Sequence, residues 1–167
     1  MRPLIVGVFA AFVLAAQMMP PAIADAGAVK ASLQSLYDRE NAAAAEKNVQ
    51  GTLAYVDPAF RGLDTRGKSM TYDDLVQNAT QVYNMAKSIH AETSVGDCKV
   101  TAGKATVVTT DTITITVTGP DAQDMVLVDS STSNDTWTKT KSGWRMTYSH
   151  VVAHNATVNG QPAPEMP

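Results

Sequence analysis

The chain has 167 residues, 13 Lys and Arg against 16 Asp and Glu, a net charge of −3, and 17% charged against 44% apolar residues. That balance excludes a disordered polyelectrolyte, and without a basic surplus the chain has no means of holding a phosphate backbone, so no nucleic-acid partner is expected. A single Cys excludes an intrachain disulfide and a cysteine-cluster zinc site, and the length fits one domain.

Residues 1–24 read as a cleaved signal peptide. Met1-Arg2 supplies a positive start, and the apolar run Leu4 to Ala16 is too short to span a bilayer. Pro20-Pro21 breaks any helix, and Ala22-Ile23-Ala24 is a small-x-small cleavage signature. Cleavage after Ala24 removes 24 of the 167 residues, Arg2 among them, leaving 143 and moving the net charge from −3 to −4. The expected location is the periplasm or the exterior, with no membrane association after cleavage. In that oxidising setting Cys98 has no partner within the chain.

A helix is predicted over Gly27 to Val49. Val29, Leu33, Leu36, Glu40 and Ala44 recur at three- and four-residue spacings, with Tyr37 beside them. Phe60 to Met70 reads as a small hairpin turning at Asp64-Thr65-Arg66-Gly67. A second helix starts at Thr71, a capping residue with Asp74 three positions on, and carries the apolar stripe Tyr72, Leu75, Val76, Ala79, Val82, Tyr83 and Ala86.

After Lys87 the period changes to two. Ser88 to Val100 places Ile89, Ala91, Thr93 and Val95 on one face, with a bulge signal at Gly96-Asp97. Lys104 to Thr118 alternates Ile113, Ile115 and Val117 with threonines, whose branching suits a strand and whose hydroxyls suit a solvated face. Met125 to Lys139 and Trp144 to Val152 complete four long strands. Trp144, Met146, Tyr148 and His150 share parity in the last. From Val158 a proline-bearing flexible tail is expected, giving a domain over 25–157 and a tail over 158–167. Short turns make successive strands antiparallel neighbours. The expected fold is therefore α+β: a cone-shaped, strongly curved antiparallel sheet with the N-terminal helices packed on its concave face.

The order of these elements resembles the nuclear-transport-factor-2-like superfamily, with its SnoaL-like and steroid-isomerase-like domains. The segments carrying the resemblance are Leu53-Ala54-Tyr55-Val56-Asp57-Pro58-Ala59-Phe60, Leu63-Asp64-Thr65-Arg66-Gly67 and the final hairpin from Trp137 to His150. The resemblance implies a central pocket and a homodimer. Isomerases, cyclases, dehydratases and non-catalytic modules all use this fold, so it does not choose a reaction.

The candidate groups follow from what such pockets require: a carboxylate or imidazole to move a proton, and donors to hold an oxyanion. His150, Tyr148 and Asp64 are the candidate catalytic residues. Tyr55, Tyr83, His90 and Trp144 are the candidate ligand contacts. A dehydratase-like His–Asp pair would join His90 or His150 to Asp57 or Asp64. Asp111 and Asp129 are further acids, placed by default on a solvated or interface face because of the cost of burying them. Cys98 reads as a small hydrophobe. Three separated histidines form no metal signature, and no phosphate loop or dinucleotide fingerprint is present, so neither metal nor cofactor is expected. The leading functional expectation is an exported domain that binds a small, partly apolar molecule in its pocket. The alternatives are an isomerase-, cyclase- or dehydratase-type enzyme using His150, and a dimeric interaction module.

Overall fold

The computed structural model of the chain describes residues 25–163. The expected signal peptide lies outside them, as do the last four residues of the expected tail. Helix α1 (Ala26–Ala45) starts at Asp25, whose carboxylate accepts the Gly27 N–H, and buries Val29, Leu33, Tyr37, Glu40 and Ala44. It stops short of Val49 because Lys47 takes a left-handed φ of 57°. Asn48 then caps the one-turn α2 (Val49–Thr52) by accepting the Gly51 N–H.

Strands β1 (Val56–Leu63) and β2 (Ser69–Thr71) form the expected hairpin. Helix α3 (Tyr72–Met85) opens with the Thr71–Asp74 capping box. Its Tyr72, Leu75 and Val76 pack on Leu53, Val56 and Phe60, and its Val82 and Tyr83 pack against Ala44, Ala86 and Ile89. Four long strands follow: β3 (Ala86–Thr101), β4 (Lys104–Thr118), β5 (Asp124–Thr140) and β6 (Gly143–Val158). Beyond Val158, where the sequence marks a tail, the chain turns through Asn159-Gly160, both at positive φ. The two-residue β7 (Gln161–Pro162) then pairs back on β6.

The sheet runs β2-β1-β6-β5-β4-β3, with β7 also on β6. The architecture is the expected α+β one, helices first and a large curved sheet after. The expected antiparallel sheet is, however, mixed, because β1 lies parallel to β6. No short turn joins those two strands, so nothing in their connection demands an antiparallel pair. The main core lies between α1 and the β3–β6 sheet, where Val29, Leu33 and Tyr37 meet Val95, Ala105, Val107, Trp137 and Trp144. Strand β3 is an edge, and α1 covers part of it: the Gln34 amide donates to the Thr93 carbonyl at 2.7 Å and accepts the Val95 N–H at 2.9 Å, standing in for a neighbouring strand.

Bulges decide which side chains face α1. Residues directly opposite on paired strands share a face, and each extra residue reverses the faces beyond it. One shift in β3 falls between Val95 and Cys98, at the expected Gly96-Asp97. Two more fall in β6. Trp144 and Met146 oppose Lys139 and Trp137 on the inner face, but Tyr148 and His150 oppose Thr136 and Asn134 on the outer one. The equal parity read from the sequence therefore breaks at Thr147. The second shift, at Val152, sets His154 opposite Ser131, on the inner face.

Leu33 is fully buried at the centre of this core. Leu33→Ala is expected to lower the unfolding free energy by about 2–5 kcal/mol in urea titrations. A cost within the surface range of about ±0.5 kcal/mol would contradict the packing of α1 described here.

Candidate functional site

An acidic cluster is buried between α1 and the sheet. Asp135 is 3% exposed, yet it is a carboxylate on the inner face of β5. The Tyr37 hydroxyl donates to its Oδ2 at 2.6 Å, and the Thr109 hydroxyl donates to the same oxygen at 3.1 Å. Trp137 Nε1–H donates in turn to the Tyr37 oxygen at 3.0 Å, with the two rings edge to face. Burial raises the Asp135 pKa, and the hydroxyls around it, Ser149 directly opposite among them, offset part of that rise. Tyr37 is driven well above the usual tyrosine range by burial first and by the Asp135 charge second.

Glu40 sits one turn further along α1 and is 8% exposed. Burial, then the charges of Asp135 and Asp111, push it up to about 8, and the Tyr55 backbone N–H only partly counters them. Glu40 Oε1 and Asp135 Oδ1 have no hydrogen-bond partner. Asp111 lies on the inner face of β4 and accepts from Thr93 Oγ1 at 2.7 Å, and Asn41 of α1 donates to that hydroxyl at 3.2 Å. Burial is also the leading cause lifting Asp111 to about 6. The solvated or interface face expected for Asp111 is thus replaced by a half-buried position against α1.

The inner face is ordered in cross-strand layers. Thr93, Asp111, Ser131 and His154 form a polar layer across β3 to β6. The next holds Ala91, Ile113, Asp129 and Ala156, and the one after it Ile89, Ile115, Leu127 and Val158. His154 Nε2 and Asp129 Oδ2 are 2.7 Å apart, with the side chains 45% and 44% exposed. Ile113, between the acids, is 37% exposed. The inner face therefore opens to solvent just where acidic, imidazole and aliphatic groups adjoin. An open groove of about 460 Å³ runs beside it between α1 and the β3 edge, lined in part by Asp38, Asn41, His90, Glu92 and Thr93. Asn41 and Thr93 belong to both the groove and the Asp111 hydrogen-bond chain.

The residues singled out from sequence are dispersed. His150 and Tyr148 lie on the outer face of β6. Asp64 makes the β1–β2 turn, accepting the Arg66 and Lys68 N–H groups at 2.9 and 2.8 Å, and the Lys68 N–H leads in holding its pKa low. The Tyr55 hydroxyl accepts from Arg39 at 3.4 Å. The Tyr83 hydroxyl bonds Thr52 at 2.8 Å, and burial raises its pKa. His90 points outward to Glu92, and Trp144 belongs to the core with Lys139 over its ring. Among the described residues the His–Asp pair is His154 with Asp129, in place of the expected His90 or His150 with Asp57 or Asp64. Among the described residues, no group of three His, Cys, Asp or Glu is arranged to hold a metal ion.

No protein-family model matches the chain, and no curated protein matches it either. Solved structures do. A scytalone-dehydratase-like protein from Novosphingobium aromaticivorans is similar over 86% of this chain and 99% of its own, at 11% identity and a TM-score of 0.66. An NTF2-like superfamily protein from Salmonella enterica covers 85% and 96%, at 16% identity and a TM-score of 0.59. LinA covers 83% and 92%, at 11% identity and a TM-score of 0.59. At these identities the likeness is one of fold. The chain adopts the nuclear-transport-factor-2-like fold.

The raised carboxyls make stability depend on pH in a defined direction. Glu40 has a folded pKa of about 8 against 4.5 for the free side chain, so the folded state holds its proton more tightly. That contribution is fully present below pH 4.5 and is lost as pH rises through 8. Urea midpoints of the wild type are expected to fall between pH 5 and 8, and those of Glu40→Gln to fall less steeply. Parallel profiles would contradict a buried, proton-bearing Glu40.

Proposed function

We propose that this domain binds a small, partly apolar molecule on the inner face of its sheet. The observation that carries the reading is the juxtaposition of a polar layer (Thr93, Asp111, Ser131, His154) with an aliphatic one (Ile89, Ile115, Leu127), with the accessible Ile113 between them. A ligand's polar end would hydrogen-bond at Asp111, and its apolar part would cover Ile113 and Leu127. Small-molecule sites commonly combine a mostly apolar lining with a few placed polar groups. The fold shared with a scytalone-dehydratase-like protein supports the reading.

A catalytic version has one specific support. Asp129 accepts from His154 in the pairing that orients an imidazole for proton transfer, and Asp111, at about 6, is suited to give and take a proton near neutrality. In this version the proton carriers are His154 and Asp111, and the outer-face His150 has no part. The residues 1–24 support export to the periplasm or beyond. The outer face, with Tyr148, His150 and the 37% exposed Val126, is the surface we assign to a homodimer.

Native mass spectrometry of protein taken from the exported fraction tests these points together. The expected species is a dimer of chains beginning at Asp25 with a small-molecule adduct, and the adduct is lost in Ile113→Asp. An adduct unaffected by that substitution would contradict the proposed site, and a monomer at working concentration would contradict the dimer.

A further inference from the structure

The charges on the part of the inner face beside the cluster are one-sided. Glu40, Asp111, Asp129 and Asp135 converge there from α1, β4 and β5. Apart from the Tyr37 hydroxyl, the one other titratable side chain in these layers is His154, held by Asp129 at the rim. Each other charge that acts on Glu40 or on Asp111 is another carboxylate. The cations near these elements are engaged elsewhere: Arg39 with the Tyr55 hydroxyl, Lys47 with the Ala86 carbonyl at 3.0 Å, and Lys139, on the inner face of β5, over the Trp144 ring. Among the described residues, no Lys or Arg forms an ion pair with any of the four acids.

A second observation is independent of the charge count. Glu40 Oε1, on a side chain more than nine-tenths buried, accepts from nothing. Buried acceptors are normally satisfied, and an orphaned carboxylate oxygen costs the full desolvation of that atom. Glu40 lies on the buried face of α1, one turn beyond the Tyr37 that holds Asp135. What the cluster lacks is a cation that can donate several hydrogen bonds. An alkylammonium has that chemistry, with three N–H donors and a full charge at one end and an aliphatic chain at the other.

Building on the small-molecule reading above, we infer that the ligand is an organic cation: a primary amine whose ammonium group enters the Glu40–Asp111–Asp135 cluster while its carbon chain lies over Ile113, Ile115 and Leu127. An anionic end would enter a cluster of four acids with no cation, and a neutral hydroxyl would leave the charge of its ionised members uncompensated. Because Glu40 and Asp111 hold protons more tightly than free carboxyls do, arrival of the ammonium expels a proton to solvent.

Calorimetric titration of the intact domain with n-hexylammonium, 1-hexanol and hexanoate, in two buffers of different ionisation enthalpy, tests this. Hexylammonium is expected to bind at least about tenfold more tightly than hexanol, with a buffer-dependent heat that reports proton release. Hexanoate is expected not to bind. Asp111→Asn should remove most of the preference for the amine, and Glu40→Gln should diminish the proton release while leaving the fold intact by circular dichroism. Hexanol binding as tightly as the amine, or hexanoate binding best, would overturn the cation inference and leave the small-molecule reading standing. Failure of all three probes at millimolar concentration would overturn both.

Discussion

The structure turns on carboxylates that are buried without a cation. Removing an ionised carboxyl from water is among the largest local costs a fold can carry, and it is tolerated only with hydrogen bonds, a partner or a proton. Asp135 has the first of these. Tyr37 and Thr109 converge on one of its oxygens, and Trp137 fixes the tyrosine from behind. This chain of donors joins α1 to β4 and β5, so the position of the long helix and the protonation of the cluster are linked. Glu40 Oε1 has no donor, only the Tyr55 N–H offsets the neighbouring acids, and burial pushes its pKa up to about 8.

Strand register converts this constraint into a site. On an inner face built of uninterrupted alternation, the end of β6 would present His150. The first added residue in β6 turns His150 out, and the second returns His154 to the inner face, in the same layer as Asp111 and one layer from its partner Asp129. The outcome is a gradient along the sheet, from a buried acidic floor through a polar layer to aliphatic groups that solvent reaches. The fold supplies the curved platform on which many chemistries can be mounted, and these side chains carry whatever is particular to this chain.

Much of the architecture is legible in the sequence because local rules agree there. The α1 stripe, the Thr71–Asp74 cap, the Asp64 turn and the long strands of alternating threonine and aliphatic residues each follow from spacing and propensity, and the structure contains each of them. The site is less legible. Parity arguments assume an unbroken ladder, and a bulge depends on how two strands fit together, which is why parity groups Tyr148 and His150 with Trp144 while the register turns them outward. The parallel β1–β6 pair is likewise a contact between distant segments. Two signals were nonetheless present. Glu40 is an acid in a stripe otherwise made of Val, Leu and Ala, and Asp135 alternates with Ser133 and Trp137 on the inward side of β5. An acid in an apolar period marks a residue whose burial needs an explanation.

The central claim is that Glu40 carries a proton at neutral pH because it is buried beside other carboxylates, with only the Tyr55 N–H to offset its charge. Infrared difference spectroscopy of wild type against Glu40→Gln at pH 7 measures this directly. The account predicts a protonated-carboxyl stretch in the wild type that the variant lacks and that a bound alkylammonium removes. A wild type showing only ionised carboxylate bands at that pH would contradict it.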